Sequence, residues 1–232
     1  MTPPHSIKAI IFDLDGTLID TIPLHGESFV RLFAKLGKKL KRSEIKPLLR
    51  LNTEEIYRRL NAKKHLRIEM EKFLELRRDE YYRLLRGKNT VFTDVFPALK
   101  MLRGYRFAIA TNSSRMTLEA STGARLLKYF DATITFSEVL RAKPDPEMLL
   151  KLARKLRVKP SQCAMVGDST MDVRAAKAAG MVSIAIYRKT GASKLSELRK
   201  HTPDFLVKSL ARVPRWITNP TVPTGLKTST GG

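Results

Sequence analysis

Two carboxylates stand two positions apart at Asp13 and Asp15, directly after the apolar run Ala9–Phe12 in KAIIFDLDGTLIDT (residues 8–21). The run reads as a buried strand, and Gly16 gives the backbone freedom to turn sharply where that strand ends. Residues two apart on an extended chain point to the same side, so both carboxylates face one space at the strand's end. Two acidic groups crowded there destabilise the fold unless a cation or a substrate uses them. The pattern therefore points to a site rather than to a scaffold.

Three further segments carry compatible chemistry. Thr111-Asn112-Ser113 ends the strand-like stretch RFAIAT (106–111), where a hydroxyl followed by exposed amides can cradle an anion. The same TNSS is also an ordinary helix N-cap. Lys143 lies in RAKPDP, and the proline after it keeps the lysine out of a helix interior. GDSTMD (167–172) follows the apolar CAMV and offers Asp168 and Asp172. Hard carboxylate oxygens with open positions suit Mg²⁺, although Asp168 alone would also suit a helix cap.

FDLDGTLID, TNS, the KPDP lysine and GDSTMD occur in an order that resembles the haloacid dehalogenase-like (HAD) superfamily, nearest its phosphoglycolate phosphatase and β-phosphoglucomutase branch. The resemblance covers about residues 8–207. It implies that Asp13 is a nucleophile forming an aspartyl-phosphate and that Asp15 is the acid, then base, of the proton transfers. It further implies that Thr111, Asn112 and Lys143 bind the phosphoryl group, and that Mg²⁺ is held by Asp13, Asp15 (through its backbone carbonyl), Asp168 and Asp172. His25, in DTIPLHGESF, matches a histidine near the hinge of such enzymes. Arg50 stands in a cap loop, where it could hold an anionic substrate. The mutases carry an arginine where this chain has Thr53, which counts against a mutase. The implied activity is hydrolysis of a small phosphorylated metabolite, of phosphoglycolate or sugar-phosphate type. The alternatives are a phosphomutase, or a nucleic-acid-binding protein on the same scaffold.

The elements that must position these groups follow from periodicity. From Pro23 to about Lys88 no strand-like run occurs, and Phe29, Leu32, Phe33 and Leu36 make an i, i+3, i+4, i+7 stripe. Further helices are expected from Ser43 to Leu49, from Thr53, and from about Ile68 to Leu85. From Val91 short strands alternate with helices: strands at 106–111, 132–136, 163–166, 182–187 and 205–207, helices at 97–102, 118–129, 146–156 and 171–179. That alternation argues for an α/β fold, a Rossmann-like parallel sheet with the site along the carboxyl ends of its strands. The expected organisation is a discontinuous core (1–20 and 90–210), an inserted all-helical cap (21–89) and a flexible tail (211–232). Trp216 in that tail either packs on the core or stands as a loose anchor.

Composition sets the remaining bounds. The 232 residues are 43% hydrophobic, enough for a real core. No run approaches the 18 or more apolar residues of a membrane span, and MTPPHSIK lacks the apolar middle of a secretory signal. A single cysteine, Cys163, excludes an internal disulfide and fits a cytoplasmic setting. Forty-four Lys and Arg against 22 Asp and Glu leave a net charge of +22. That favours anionic ligands and a non-specific attraction to nucleic acid, though most of the basic residues interleave with apolar ones as solvated helix faces.

Overall fold

The structure is a computed structural model that describes residues 7–49, 51 and 53–218. It divides into two compact units, one comprising the described residues up to Ile19 and from Val91 onward, the other Asp20–Thr90.

The first unit is built on a six-stranded, all-parallel sheet: β1 (Ala9–Phe12), β2 (Arg106–Thr111), β3 (Ala132–Thr135), β4 (Cys163–Gly167), β5 (Val182–Ile186) and β6 (Phe205–Val207). Its order is β3-β2-β1-β4-β5-β6, with Phe12 level with both Ile109 and Val166. β1 is central and fully buried, as an unbroken apolar run covered on both faces must be. Its alternation divides the core. Ile10 and Phe12 pack with Ile109, Val166, Leu99 and Leu118, whereas Ala9 and Ile11 pack with Ala108, Leu149, Leu152 and Ala176. Each fully buried Ile or Phe contributes roughly 1.5–3 kcal/mol. The small residues Ala108, Ala110, Ala175 and Ala176 let helices approach the second face closely.

The helices of this unit are Val95–Met101, Arg115–Leu127, Glu147–Lys155, Thr170–Ala178, Leu195–Lys200 and Val213–Thr218. Arg115–Leu127 begins three residues before the expected start, because the Ser114 hydroxyl accepts a hydrogen bond from the Thr117 N–H as its N-cap. It is broken at Gly123, whose φ of +65° is non-helical. Leu195–Lys200 was not expected, being too short for a periodicity signal. Within the tail expected from residue 211, residues 219–232 lie outside the described residues, and Val213–Thr218 is helical. There Val213 is buried and Trp216 packs on Phe205 with ring centroids 4.8 Å apart.

The second unit consists of the helices Ile22–Lys35, Arg42–Ile45, Thr53–Lys64 and Met70–Leu85 around Phe29, Leu32, Phe33, Ile45, Leu60 and Phe73. The helix expected from Ser43 to Leu49 instead starts at Arg42 and changes to a 3₁₀ turn at Lys46–Leu48. Pro47 has no N–H with which to continue the α-helical pattern. Among the described residues no helix is long and apolar enough to cross a membrane.

Candidate active site

The strand order brings the carboxyl ends of β3, β2, β1 and β4 side by side, and the chain at or after each delivers a polar group to one space. Asp13 follows β1 and its N–H donates to the Val166 carbonyl at 2.8 Å. Thr111 closes β2, and Asp168 follows β4. Lys143 arrives in the loop between β3 and the helix Glu147–Lys155.

Lys143 is the hub. Its Nζ donates to Asp13 Oδ1 at 2.7 Å, Asp172 Oδ1 at 2.6 Å and the Ala110 carbonyl at 2.8 Å. An ammonium has three donors, and all three are satisfied. Asp172 Oδ2 also accepts from the Ser169 N–H at 3.0 Å and from the Ser169 hydroxyl, a capping box at the start of the helix Thr170–Ala178. Asp168 Oδ2 accepts from the Ala192 N–H at 2.5 Å, and its Oδ1 from the Thr17 hydroxyl at 3.3 Å.

Asp13, Asp168 and Asp172 each place a carboxylate oxygen within 4.8 Å of the others, and all three residues are buried. One ammonium does not balance three carboxylates out of water. Burial first, then the negative charges of Asp172 and Asp168, push the Asp13 carboxyl well above its usual range against the pull of Lys143. Burial and Asp172 push Asp168 up to about 7, opposed by the Ala192 N–H. For Lys143, burial alone would favour the neutral amine, but Asp13 and Asp172 outweigh it and hold the proton more tightly than usual. A hard divalent cation would supply the missing charge, and three carboxylate oxygens are a donor set that fits Mg²⁺.

Space for this cluster is made by glycine. Gly16 has φ +79°, and a Cβ there would lie 2.3 Å from Asp168 Oδ2. At Gly167 a Cβ would lie 2.3 Å from Asp172 Cγ.

The remaining site residues differ in how they are used. The Asp15 carboxylate lies outside the buried trio, with its Oδ2 accepting from the Ser113 hydroxyl at 2.7 Å. Thr111 is buried and its Oγ1 accepts from the Ser113 N–H at 3.0 Å. The Asn112 side chain is engaged with the lysine loop. Its Nδ2 donates to the Lys143 carbonyl at 2.9 Å and its Oδ1 accepts from the Lys143 N–H at 3.1 Å. A primary amide that pairs with both the N–H and the C=O of one residue fixes the backbone on either side of it, so Asn112 positions Lys143. His25 stands in the helical unit, stacked on Tyr81 at 4.2 Å with its Nδ1 against the Arg77 guanidinium. Arg50 lies outside the described residues.

Thr17, Ser113, Ser169 and Ala192 were not singled out from the sequence. Ser113 and Ser169 sit inside the quoted segments and could have been found there. Ala192 acts through its backbone N–H, which leaves no trace in residue type.

A family model for haloacid dehalogenase-like hydrolases matches residues 7–180. The chain belongs to that family. A PpaX protein of Clostridium perfringens is 34% identical over 220 residues, covering 87% of this chain and 92% of the relative. The pyrophosphatase PpaX of Bacillus mycoides is 27% identical over 207 residues, covering 88% and 94%. Among solved structures, CbbY of Rhodobacter sphaeroides in complex with xylulose-(1,5)bisphosphate superposes with a TM-score of 0.75 at 25% identity, covering 88% of this chain and 95% of that one. This HAD-like hydrolase is a phosphatase with a Rossmann-like α/β core.

Proposed function

We propose that the chain is a Mg²⁺-dependent phosphatase of small phosphorylated metabolites that works through a phosphoryl group carried on Asp13. The observation that carries this reading is the three-way contact of Lys143 Nζ with Asp13, Asp172 and the Ala110 carbonyl, beside Asp168. Hydrolysis of a phosphate monoester is among the slowest uncatalysed reactions, so the site must stabilise charge on the transferring group as well as supply a nucleophile.

An Asp13 carboxylate oxygen attacks phosphorus, and the bond to the leaving oxygen breaks. Lys143 favours the ionised form of Asp13 against burial and its acidic neighbours, and offsets the phosphoryl charge. Asp15, oriented by the Ser113 hydroxyl, gives its proton to the leaving oxygen. In the second half Asp15 takes a proton from water, whose oxygen attacks the phosphorus and restores Asp13. Thr111 and the backbone amides after it are assigned to the phosphoryl oxygens. Asp13, Asp168 and Asp172 would hold Mg²⁺, which when bound neutralises the buried carboxylates and the phosphoryl oxygens. Selection of the leaving group is assigned to the inserted helical unit, with His25 as its candidate residue.

The relatives widen the substrate panel. PpaX is named as a pyrophosphatase, and CbbY was solved with a sugar bisphosphate. Phosphate release should be measured over pyrophosphate, phosphoglycolate, and sugar mono- and bisphosphates, with and without Mg²⁺, for the wild type and Asp13→Asn. Release by the wild type in Mg²⁺ alone is expected. Equal release by Asp13→Asn would overturn the reading.

A further inference from the structure

The phosphatase centre uses the carboxyl ends of the strands and leaves the opposite end of the sheet without a role. The parallel topology gathers the starts of β1, β2 and β4 there. Lys8 precedes β1, its carbonyl accepts from the Arg106 N–H at 3.0 Å, and its own N–H donates to the Gln162 carbonyl at 2.8 Å. Arg106 opens β2, and Arg157 and Lys159 lead into β4 just before Gln162. Lys100 lies in the last turn of the helix Val95–Met101, and Arg103 on the turn from that helix into β2. These six cations are exposed, and none has an ion-pair partner among the described residues. They differ in this from the cations of the helices, many of which sit opposite a carboxylate, as Arg59 does with Glu55 and Lys151 with Glu147.

Beside them is a cavity of about 400 Å³ lined by Lys100, Arg103, Tyr105, Phe107, Tyr129 and Asp131. Asp131 is its acidic member, and one of its carboxylate oxygens accepts from the Phe107 N–H. Unpaired cations next to half-buried aromatic rings are the combination that holds a single-stranded nucleic acid, with phosphates on the charges and a base on a ring. We infer that the amino end of the sheet binds single-stranded nucleic acid, at a surface separate from the phosphatase centre. The net charge of +22 brings the polyanion to the protein, and the six cations decide where it docks.

The test is fluorescence anisotropy of a labelled oligothymidylate with the full chain across a salt series, alongside phosphatase assays. The expected result is binding that weakens steeply with salt. Arg103→Gln/Arg106→Gln should weaken it about tenfold and reduce the log K against log salt slope by about 1.4, two phosphate contacts on a single strand. Tyr105→Ala should weaken binding without changing the slope. Lys38→Gln/Lys39→Gln removes two exposed charges from the helical unit and should change little. Phosphatase activity should be unaltered in all of these, and Asp13→Asn should bind like the wild type. Circular dichroism melting checks that each variant is folded. Loss of binding in the Lys38/Lys39 variant equal to that in the Arg103/Arg106 variant would overturn the inference in favour of net charge alone. So would absent binding at low salt, or binding to phosphatidylserine vesicles in preference to the oligonucleotide. None of these outcomes bears on the phosphatase reading.

Discussion

Lys143 Nζ stands 2.7 Å from Asp13 Oδ1, and the lysine that makes this contact is held by Asn112 through a pair of hydrogen bonds to its own backbone. The residues come from three segments of the chain, and no pair of them is nearer than 31 positions in sequence. Replacing Asn112 by Ala should therefore act through Lys143. Activity should fall by about tenfold to a hundredfold, and Asn112→Asp, which keeps an acceptor for the Lys143 N–H, should lose less. Loss of the same size in both, with KM alone affected, would instead place Asn112 on the substrate.

Lys143→Met leaves three buried carboxylates facing one another. Breaking a buried ion pair in this way costs about 3–5 kcal/mol. A large drop in melting temperature is expected in EDTA, with partial recovery in Mg²⁺. Asp13→Asn removes one of the repelling charges, so it should melt no lower than the wild type while losing activity by about 10⁴-fold or more. Differential scanning calorimetry of the two variants, with and without metal, checks both.

Mg²⁺ should raise the wild-type melting temperature, since a ligand present at a hundred times its Kd stabilises by about 2.7 kcal/mol. Asp168→Asn should abolish most of that rise. An undiminished rise in this variant would place the ion elsewhere.

Gly16→Ala should inactivate the enzyme at modest cost in stability. The φ of +79° disfavours any side chain, and the new Cβ would displace the Asp168 carboxylate. The expected stability loss is about 1–3 kcal/mol.

Asp94 tests the frame behind the site. Its carboxylate accepts from both terminal nitrogens of Arg188 (2.8 and 3.0 Å), the Ser209 hydroxyl (2.7 Å) and the Leu210 N–H (2.9 Å). Burial pushes its pKa up, but these donors outweigh it and hold the carboxyl below its ordinary value. The stabilisation it gives is thus complete above the unfolded pKa of about 3.9 and is lost as pH falls through the folded value. Asp94→Asn should lower stability at pH 7 by about 2–4 kcal/mol, and the gap to wild type should narrow below about pH 4 in urea titrations.

The core strands were legible because each is a short apolar run between turn residues, and β1 carries its site residues immediately after it. Local order failed where helices were too short for periodicity, as at Leu195–Lys200, or were cut by a single residue, as at Pro47 and Gly123. In the site, residue types exposed the carboxylates and Lys143 but not their partners. The Thr17–Asp168 bond spans 151 positions, and the Ala192 contact is made by a backbone amide. Residue type marks Asn112 as a site residue but not its bonds to Lys143, because its amide suits a phosphate and backbone N–H and C=O groups equally well.

The most direct measurement is mass spectrometry of acid-quenched Asp15→Asn enzyme after mixing with Mg²⁺ and p-nitrophenyl phosphate, whose leaving oxygen departs without a proton. Without the Asp15 carboxylate to activate water, the phosphoryl-enzyme should accumulate, and the phosphoryl group should map to Asp13. A phosphoryl group on another residue, or steady turnover in Asp13→Asn, would contradict the role assigned to the carboxylate that Lys143 holds.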